Sequence, residues 1–519
     1  MNKSITLLLF LAMATFSCKK NNSTKPPVDI PTPDTAALIS VKLLSSTNAG
    51  ILTADINCTI NGDVISALIP PIENDKKLVV TFTTQATGST VTINDTVQVS
   101  GTTKTNFYKP VTYLVTTPKG VKKTYTFTVK NFTGIPILYL NTAGGAPIVS
   151  KEDYLDATLV VNTNSEFEQE KTTITTQVKG RGNSTWGLHP KKPYRMKFSN
   201  KAPMLGLPTA KNWVLLANYS DKTLLRTGLA FHLGQKLDAD FTPKGRFVEL
   251  VLNGEHLGSY YLTYQVEVNE NRVNIPELKA GDTSADKITG GYLLELDERL
   301  DEDFWFRTKK NVPFTIKSPE DIPQVQLDYI KKYMQDTEDA IFAADYADPV
   351  TGYAKYINVD SFINWYIVQE LFKNEDAKKF SSVYFYKNRG EKLSMGPLWD
   401  FDLAIGNVNY SVSRNATGWW IKDGPWFSGL FKDPAFRAKV KARWNQVRGN
   451  ELQTINPYID STAAYINLSQ QKNFTKWPIL NMYVWPNPIW LGTYDKEVAQ
   501  VKKWLNERSL WLNTEINKW

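Results

Sequence analysis

The chain has 519 residues, which exceeds one ordinary domain and predicts two or three. Hydrophobic residues make up 42% of the sequence and charged residues 22%, a balance typical of globular proteins. The net charge of +8 is small for this length, and Lys and Arg form no long run, so nucleic-acid binding is not expected. With only three histidines and two cysteines, neither a His-rich metal centre nor a Ser-His-Asp triad is expected.

The first 17 residues predict an export signal. Lys3 supplies a positive charge, and the apolar stretch 5–14 is too short to span a bilayer comfortably. The sequence TFSC then places a small residue directly before Cys18, as in bacterial lipoprotein cleavage sites, although ordinary signal cleavage nearby is the alternative. We expect Cys18 to be lipidated and residues 18–35, which are polar and contain proline, to form a tether. The protein is thus expected to be exported and lipid-anchored to a bacterial membrane, in the periplasm or at the cell surface.

Residues 36–133 are rich in short strand patterns. Runs such as LVVTFTT and KTYTFTVK are separated by Gly, Asn, Asp and Pro, which predicts a small antiparallel, immunoglobulin-like β-sandwich. Its remaining cysteine, Cys58, lies in an alternating segment and is expected to be a small buried side chain. The region offers no catalytic cluster, so a spacer or adhesive role is expected.

Residues 134–519 predict a larger α+β domain with a helical C-terminal part. Ser220 and Asp221 are candidates to cap a helix that runs to about Leu237. The other predicted elements are strands at 156–161, 173–179, 194–198, 213–217, 247–252, 259–264 and 291–296, and helices at 325–342, 360–372, 434–448 and 495–515.

A glycine-rich and basic cluster occurs at KGRGNSTW and KKPYRMKF. Its glycines permit close approach of the backbone to an anion, and Ser184 and Thr185 add hydroxyl groups. In the predicted strand that follows, Arg195 and Lys197 share one face, where two cations can meet phosphate oxygens. The spacing is not that of a Walker loop, and a solvated strand face beside a tight turn is the alternative.

The segment 370–407 carries the strongest signal for chemistry. Asp376 follows a predicted helix, a hairpin at 382–387 and 392–395 comes next, and a further strand is expected to lead to Asp400 and Asp402. Because a hairpin brings its two ends together, Asp376 and Asp400 should be close in space. One carboxylate can orient or deprotonate a hydroxyl while the other binds the Mg²⁺ that bridges nucleotide phosphates.

Two alternatives accompany this interpretation. Asp-x-Asp also binds metal and nucleotide sugar in many glycosyltransferases, but the alternating βαβ region expected upstream of it is not clear here. Further acids at strand ends, Glu267, Glu295 and Asp297, can bind metal or anchor a lysine, although each is more often a surface carboxylate.

Several segments, in order and spacing, resemble the CotH kinase family, named for a spore-coat protein. They are KGRGNSTW, KKPYRMKF, NWVLLANYSDKTLLRTGLAFHLG, VELVLNGEHLGSYYLTYQVEVNENRVNI, GGYLLELD and GPLWDFDLAIGN. The resemblance implies an atypical protein-kinase-like fold that transfers the γ-phosphate of ATP to protein Ser or Thr with Mg²⁺ or Mn²⁺. It implies that Asp376 is the catalytic acid and Asp400 a metal ligand. The ATP-binding candidates that it implies are Arg181, Asn183, Lys192, Arg195 and Lys197.

Two positions depart from the family pattern. Ser381 stands where family members often have Asn as a second metal ligand, so Asp402 is expected to compensate, and Tyr264 stands where many relatives have Glu. A different class of function is a catalytically inactive surface adhesin that binds glycans. Its binding surface would come from the C-terminal tryptophans Trp477, Trp485, Trp490, Trp504 and Trp511, although clustered Trp more often belongs to a core.

Overall fold

The computed structural model describes residues 34–71, 76–170 and 172–519. The predicted signal segment, Cys18 and nearly all of the predicted tether lie outside the described residues. Within the described part of the chain, no helix combines the length and apolar character that a membrane crossing requires.

The first part of the chain is built from short strands that pack around one hydrophobic core. They form a three-stranded sheet (β2-β1-β6), a six-stranded sheet (β3-β4-β11-β10-β7-β8) and the pair β5-β9. The strands are β1 (Leu38–Leu43), β2 (Ile56–Asn57), β3 (Thr59–Asn61), β4 (Val64–Ile69), β5 (Lys77–Val79), β6 (Thr81–Thr84), β7 (Thr90–Ile93), β8 (Thr96–Val97), β9 (Lys104–Asn106), β10 (Val111–Thr116) and β11 (Lys122–Asn131).

The prediction of a purely antiparallel arrangement is wrong at one place, because β4 and β11 pair in parallel. These two strands are far apart in sequence, so no hairpin turn forces them to run in opposite directions. The immunoglobulin-like topology itself stays a prediction. Cys58 is partly exposed at the edge of the core rather than fully buried.

A closed barrel of seven strands follows, in the order β12-β13-β14-β15-β16-β18-β17, with β12 and β17 paired in parallel to close it. Alternate side chains point inward, and Met196, Trp213 and Leu262 are fully buried there. The elements are β12 (Ile137–Thr142), β13 (Leu155–Asn162), β14 (Thr173–Gly180), α1 (Ser184–Leu188), β15 (Tyr194–Met204), β16 (Leu207–Leu216), α2 (Arg226–Lys236), β17 (Gly245–Leu252) and β18 (Glu255–Tyr264).

A five-stranded antiparallel sheet, β20-β21-β19-β22-β23, and a set of helices share a second large core. The helix α4 is buried on nearly all sides, with Trp365 and Tyr366 almost inaccessible. The elements are β19 (Tyr292–Leu296), β20 (Trp305–Arg307), β21 (Pro313–Ser318), α3 (Gln324–Phe342), α4 (Val359–Phe372), β22 (Val383–Lys387), β23 (Leu393–Met395), α5 (Phe427–Leu430), α6 (Pro434–Gly449), α7 (Ile455–Tyr465), α8 (Asn467–Lys476) and α9 (Tyr494–Ile516).

The helix predicted from Ser220 begins later than expected, at Arg226. Leu224 has a φ of 63°, in the left-handed region, which prevents an α-helix from running through residues 220–225. Asp221 instead holds this turn, because its carboxylate accepts hydrogen bonds from the backbone N–H groups of Thr223 and Arg226 at 3.0 and 2.9 Å. The predicted mixture of helices and sheets is confirmed, which makes the chain an α+β protein.

Candidate active site

A polar cavity of about 510 Å³ lies between the barrel and the five-stranded sheet. Side chains from β14, β15 and the glycine-rich turn after β14 form one wall. The opposite wall comes from β19, β21, β22 and the loops that follow α4 and β23. The cavity therefore joins the three segments that the sequence singled out.

Asp376 and Asp400 both line this cavity, as the hairpin argument predicted. Helix α4 ends at Phe372, and the next residue, Lys373, has a φ of 49° that turns the chain toward a short 3-10 helix, Asp376–Lys378. Asn374 then ties the two loops together, since its Nδ2 donates to the carbonyl oxygen of Asp400 at 2.9 Å. The hairpin β22–β23 carries the chain from one loop to the other.

The predicted strand before Asp400 is absent, because residues 396–407 form neither a helix nor a strand in the described structure. Asp400 has a φ of 60° and Ser382 a φ of 63°. Such left-handed backbone costs free energy for residues other than glycine and clusters at functional sites. The Ser382 hydroxyl donates to Asp400 Oδ2 at 3.4 Å, so the two strained residues meet.

The carboxylates of the cavity strongly affect one another. Burial, and then the charge of Asp400, raises the pKa of Asp376 to about 7. Burial also raises the pKa of Asp402 well above its usual range, with further contributions from Asp400 and Asp376. Burial raises the pKa of Glu295 to about 7, and Lys317 partly opposes that shift. A cation or bound protons must therefore offset this concentration of negative charge.

The barrel wall supplies the opposite charge. Lys179 and Arg195 face each other across β14 and β15, and both line the cavity. The Arg181 guanidinium lies over the Trp399 ring at 5.7 Å. Removal from water lowers the pKa of Arg181, while the nearby Asp400 charge raises it. Asn183 also lines the cavity and accepts a hydrogen bond from Lys151 at 3.2 Å.

Three other predicted site residues do not line the cavity. Lys192 precedes β15 and donates to the Trp186 carbonyl oxygen at 2.5 Å. Lys197 is exposed farther along β15, opposite Gln177. The Ser381 side chain is buried and accepts a hydrogen bond from Arg299 at 3.1 Å. Ser382, one residue later, occupies the position beside Asp400 instead.

The cavity also contains charged residues that the sequence analysis placed low among the site candidates or did not consider. Glu295 Oε1 accepts the backbone N–H of Ser382 at 3.0 Å, and Glu295 Oε2 lies 3.8 Å from Lys317 Nζ. Arg299 donates to Asp297 Oδ1 at 3.1 Å. The acids after β19 were visible in GGYLLELD, but Lys317 could be found only from the antiparallel pairing of β19 with β21. Glu267, by contrast, lies in a neighbouring cavity and accepts from Asn212 at 2.7 Å.

Among the described residues, no group of three or more His, Cys, Asp or Glu side chains is arranged to hold a metal ion. Asp400 and Asp402 are oxygen donors in one cavity, beside the Ser382 hydroxyl. Mg²⁺ at nucleotide sites commonly uses one or two carboxylates and completes its shell with water and phosphate oxygens. These oxygen ligands are therefore suited to a Mg²⁺ ion that is also bound by a phosphate group.

The arrangement separates charge across the cavity, with cations on the barrel wall and carboxylates on the opposite wall. A family profile described as CotH kinase protein matches residues 178–512. The chain belongs to the CotH kinase protein family. The CotH match contains Arg181, Arg195, Asp376, Asp400 and Asp402, and it indicates a kinase-like function.

Comparison with individual proteins adds little to the CotH assignment. No curated protein sequence matches the chain. A crystal structure at 2.05 Å of a Bacteroides thetaiotaomicron protein, named as a candidate glycoside hydrolase, is 16% identical to this CotH protein. That likeness covers 57% of this chain and 86% of the other, with a TM-score of 0.15. A likeness with this TM-score does not indicate a shared fold or function.

Proposed function

We propose that this protein is an atypical protein kinase that transfers the γ-phosphate of ATP to Ser or Thr hydroxyls with Mg²⁺ or Mn²⁺. The observation that carries the proposal is the polarised cavity. Asp376, Asp400 and Asp402 line it opposite Arg181 and Arg195. Phosphoryl transfer depends mainly on positioning and charge stabilisation, which such a cavity supplies.

The cations of the barrel wall are suited to ATP phosphates. Arg181 and Arg195 carry guanidinium groups that can bind phosphate oxygens with two hydrogen bonds each, and Lys179 adds a third positive charge. Gly182, with a φ of 82°, lets the turn adopt a left-handed backbone beside them. Asn183 offers an amide at the same turn.

Asp400 and Asp402 would hold the metal ion, and Ser382 would orient the Asp400 carboxylate. When bound, Mg²⁺ would neutralise negative charge on the phosphates. The pKa values support this role, because burial and mutual repulsion of these acids make a nearby cation favourable. We assign the hydroxyl near the metal ligands to Ser382 rather than Ser381, since Ser381 contacts Arg299.

Asp376 would accept or orient the proton of the attacking hydroxyl. A pKa of about 7 suits an acid–base group that works near neutral pH. Tyr410 supports a solvent-facing approach for the acceptor: the residue is 55% exposed, and burial and then the Asp376 charge raise its pKa. A Ser or Thr on an exposed protein segment would approach from this side.

We further propose that the kinase-like domain, residues 134–519, follows an immunoglobulin-like spacer at 36–133 and a lipid anchor at Cys18. The lipoprotein sequence around Cys18 and the small β-rich region support this organisation. Metabolic labelling with a radioactive fatty acid, in wild type and Cys18→Ser, tests the anchor. Equal labelling of the two would contradict it.

Transfer of radiolabel from the γ-position of ATP to a Ser/Thr peptide library tests the kinase proposal. With Mg²⁺ or Mn²⁺, wild type should label the peptides, whereas Asp376→Asn and Asp400→Asn should lose at least about 100-fold in rate. Asp360→Asn changes an acid whose side chain is 82% exposed on α4 and is the matched control. Equal labelling by all three variants, or metal-independent labelling, would refute the assigned roles.

A further inference from the structure

A second cavity, of about 310 Å³, lies on the far side of the loop that carries Asp402. Asn407 connects it to the candidate active site, because its Nδ2 donates to the Asp402 carbonyl oxygen at 2.7 Å. The segment 485–490 separates the two cavities: Trp485 and Pro486 line the first, whereas Asn487 and Pro488 line the second. We call this second space the amide cavity.

The lining of the amide cavity is rich in carboxamide side chains, which both donate and accept hydrogen bonds. Asn407, Asn415, Asn487 and Gln500 all line it. Asn487 is 2% exposed, and its Oδ1 has no hydrogen-bond partner among the described residues. A buried polar atom of this kind usually has a partner, so the Asn487 carboxamide oxygen is an unsatisfied polar group in the wall of the cavity.

The charged groups of the cavity leave a small positive excess. Lys222 and Arg414 contribute positive charge and Glu497 negative charge, while Arg226 forms an ion pair with the buried Asp221. Lys222 is buried and, within the part of the chain that the structure describes, donates only to the Met482 carbonyl oxygen, at 2.7 Å, which leaves further N–H groups for a ligand. This excess of one positive charge is too small to neutralise a multiply charged anion, and an apolar ligand would leave these polar groups unpaired.

An aromatic surface lies next to residues that line the amide cavity. Trp490, which is 45% exposed, follows the lining residue Ile489, and its ring lies 5.8 Å from Lys222 Nζ. Tyr483 packs edge-on against it at 5.8 Å. Exposed tryptophan beside convergent polar groups provides an apolar face together with hydrogen-bonding partners.

We propose that the amide cavity binds a sugar residue of a glycan, a binding site separate from the candidate active site. A sugar ring presents hydroxyl groups that donate and accept, which matches the carboxamides, Lys222 and Glu497. It also presents C–H groups on its faces, which pack on an aromatic ring such as Trp490. The volume equals that of about ten water molecules, within the range of small-ligand pockets.

Isothermal titration and ligand-observed NMR on the full-length protein test this site, with glucose, galactose, N-acetylglucosamine and glucuronate as probes and inorganic phosphate as the competing class. At least one sugar should bind. Gln500→Ala and Trp490→Ala should each weaken that binding about tenfold, the equivalent of one lost contact. Gln500 makes no protein hydrogen bond through its side chain among the described residues, so its loss should leave folding intact.

The matched controls are Gln446→Ala and Trp305→Ala, which remove an exposed amide and an exposed indole elsewhere. Both should bind sugar as wild type does. Absence of binding for all four sugars would overturn the proposal, and so would equal affinity of the cavity variants and the controls. Binding of phosphate without sugar would assign the cavity to an anion and overturn it as well.

Discussion

The Ser382 hydroxyl lies 3.4 Å from Asp400 Oδ2, and both residues have left-handed backbone conformations. Two strained residues in contact need support from their surroundings. Asn374 supplies it for Asp400 by donating to the carbonyl oxygen, and Glu295 supplies it for Ser382 by accepting the backbone N–H. The acid that we assign to the metal is thus held by Asn374 in the loop after α4 and by Ser382, which Glu295 of β19 supports in turn.

Ser382→Ala should weaken Mn²⁺ binding about tenfold in the presence of a non-hydrolysable ATP analogue, because Asp400 loses an orienting hydroxyl. Ser381→Ala is the matched control: it removes the neighbouring hydroxyl, which contacts Arg299 instead. Electron paramagnetic resonance of free Mn²⁺ measures both affinities. A larger loss in Ser381→Ala would return the metal-site assignment to Ser381.

Arg195→Gln should weaken ATP binding about tenfold, whereas Lys197→Gln should leave it unchanged. The two residues lie on one face of β15, but only Arg195 lines the cavity. Loss of one charge-assisted hydrogen bond costs roughly 1.5–3 kcal/mol. Fluorescence titration with a labelled ATP analogue compares them, and equal losses would show that the phosphate site extends along the strand.

The contribution of Asp376 to the stability of the metal-free protein should fall as the pH rises from about 4 to about 7. The pKa of Asp376 is 3.8 in an ordinary setting and about 7 in the folded protein, so the folded state binds the proton more tightly. The stability that protonated Asp376 contributes is fully present below about pH 3.8. It is lost as the pH rises through about 7. Asp376→Asn should therefore raise the free energy of unfolding by on the order of 4 kcal/mol at pH 8 and by little at pH 4.

Urea unfolding with a chelator present measures this difference, and Asp360→Asn on the exposed first turn of α4 is the control. The control should give the same difference from wild type at both pH values. If Asp376→Asn behaved in the same way as the control, the raised pKa of Asp376 would be refuted.

Arg508→Met should destabilise the protein by about 3–5 kcal/mol, since it leaves a buried carboxylate without its cation. Arg508 and Glu370 are both almost inaccessible and pair at 2.5 Å. Arg508 also donates to the carbonyl oxygens of Ala416 and Gly418, and so connects α9 to the loop before α5. Urea unfolding of Arg508→Met, compared with the exposed control Arg448→Met, tests this contribution; equal midpoints would contradict it.

The long helices were predicted well because the spacing of their apolar residues indicates which helix face is buried. Helices α3, α4, α6 and α9 begin and end within one residue of their predicted bounds. The hairpin β22–β23 was also predicted, because its turn residues Asn388 and Gly390 have a strong local preference. The acid pair Asp376 and Asp400 followed from that hairpin.

The remaining details depend on contacts between distant segments. Strand alternation puts Arg195 and Lys197 on one face, but only the closure of the barrel decides which of them reaches the cavity. Likewise, the left-handed backbone of Ser382 directs Ser382 toward Asp400 and leaves Ser381 with Arg299. Lys317 reaches Glu295 through sheet pairing that no local pattern encodes.

A crystal structure with Mn²⁺ and a non-hydrolysable ATP analogue tests the central claim most directly. Anomalous scattering should locate Mn²⁺ against the carboxylates of Asp400 and Asp402, with the terminal phosphate between Asp376 and the Arg181 side of the cavity. Asp400→Asn should lose the Mn²⁺ peak. Mn²⁺ and nucleotide bound away from these acids would contradict the account.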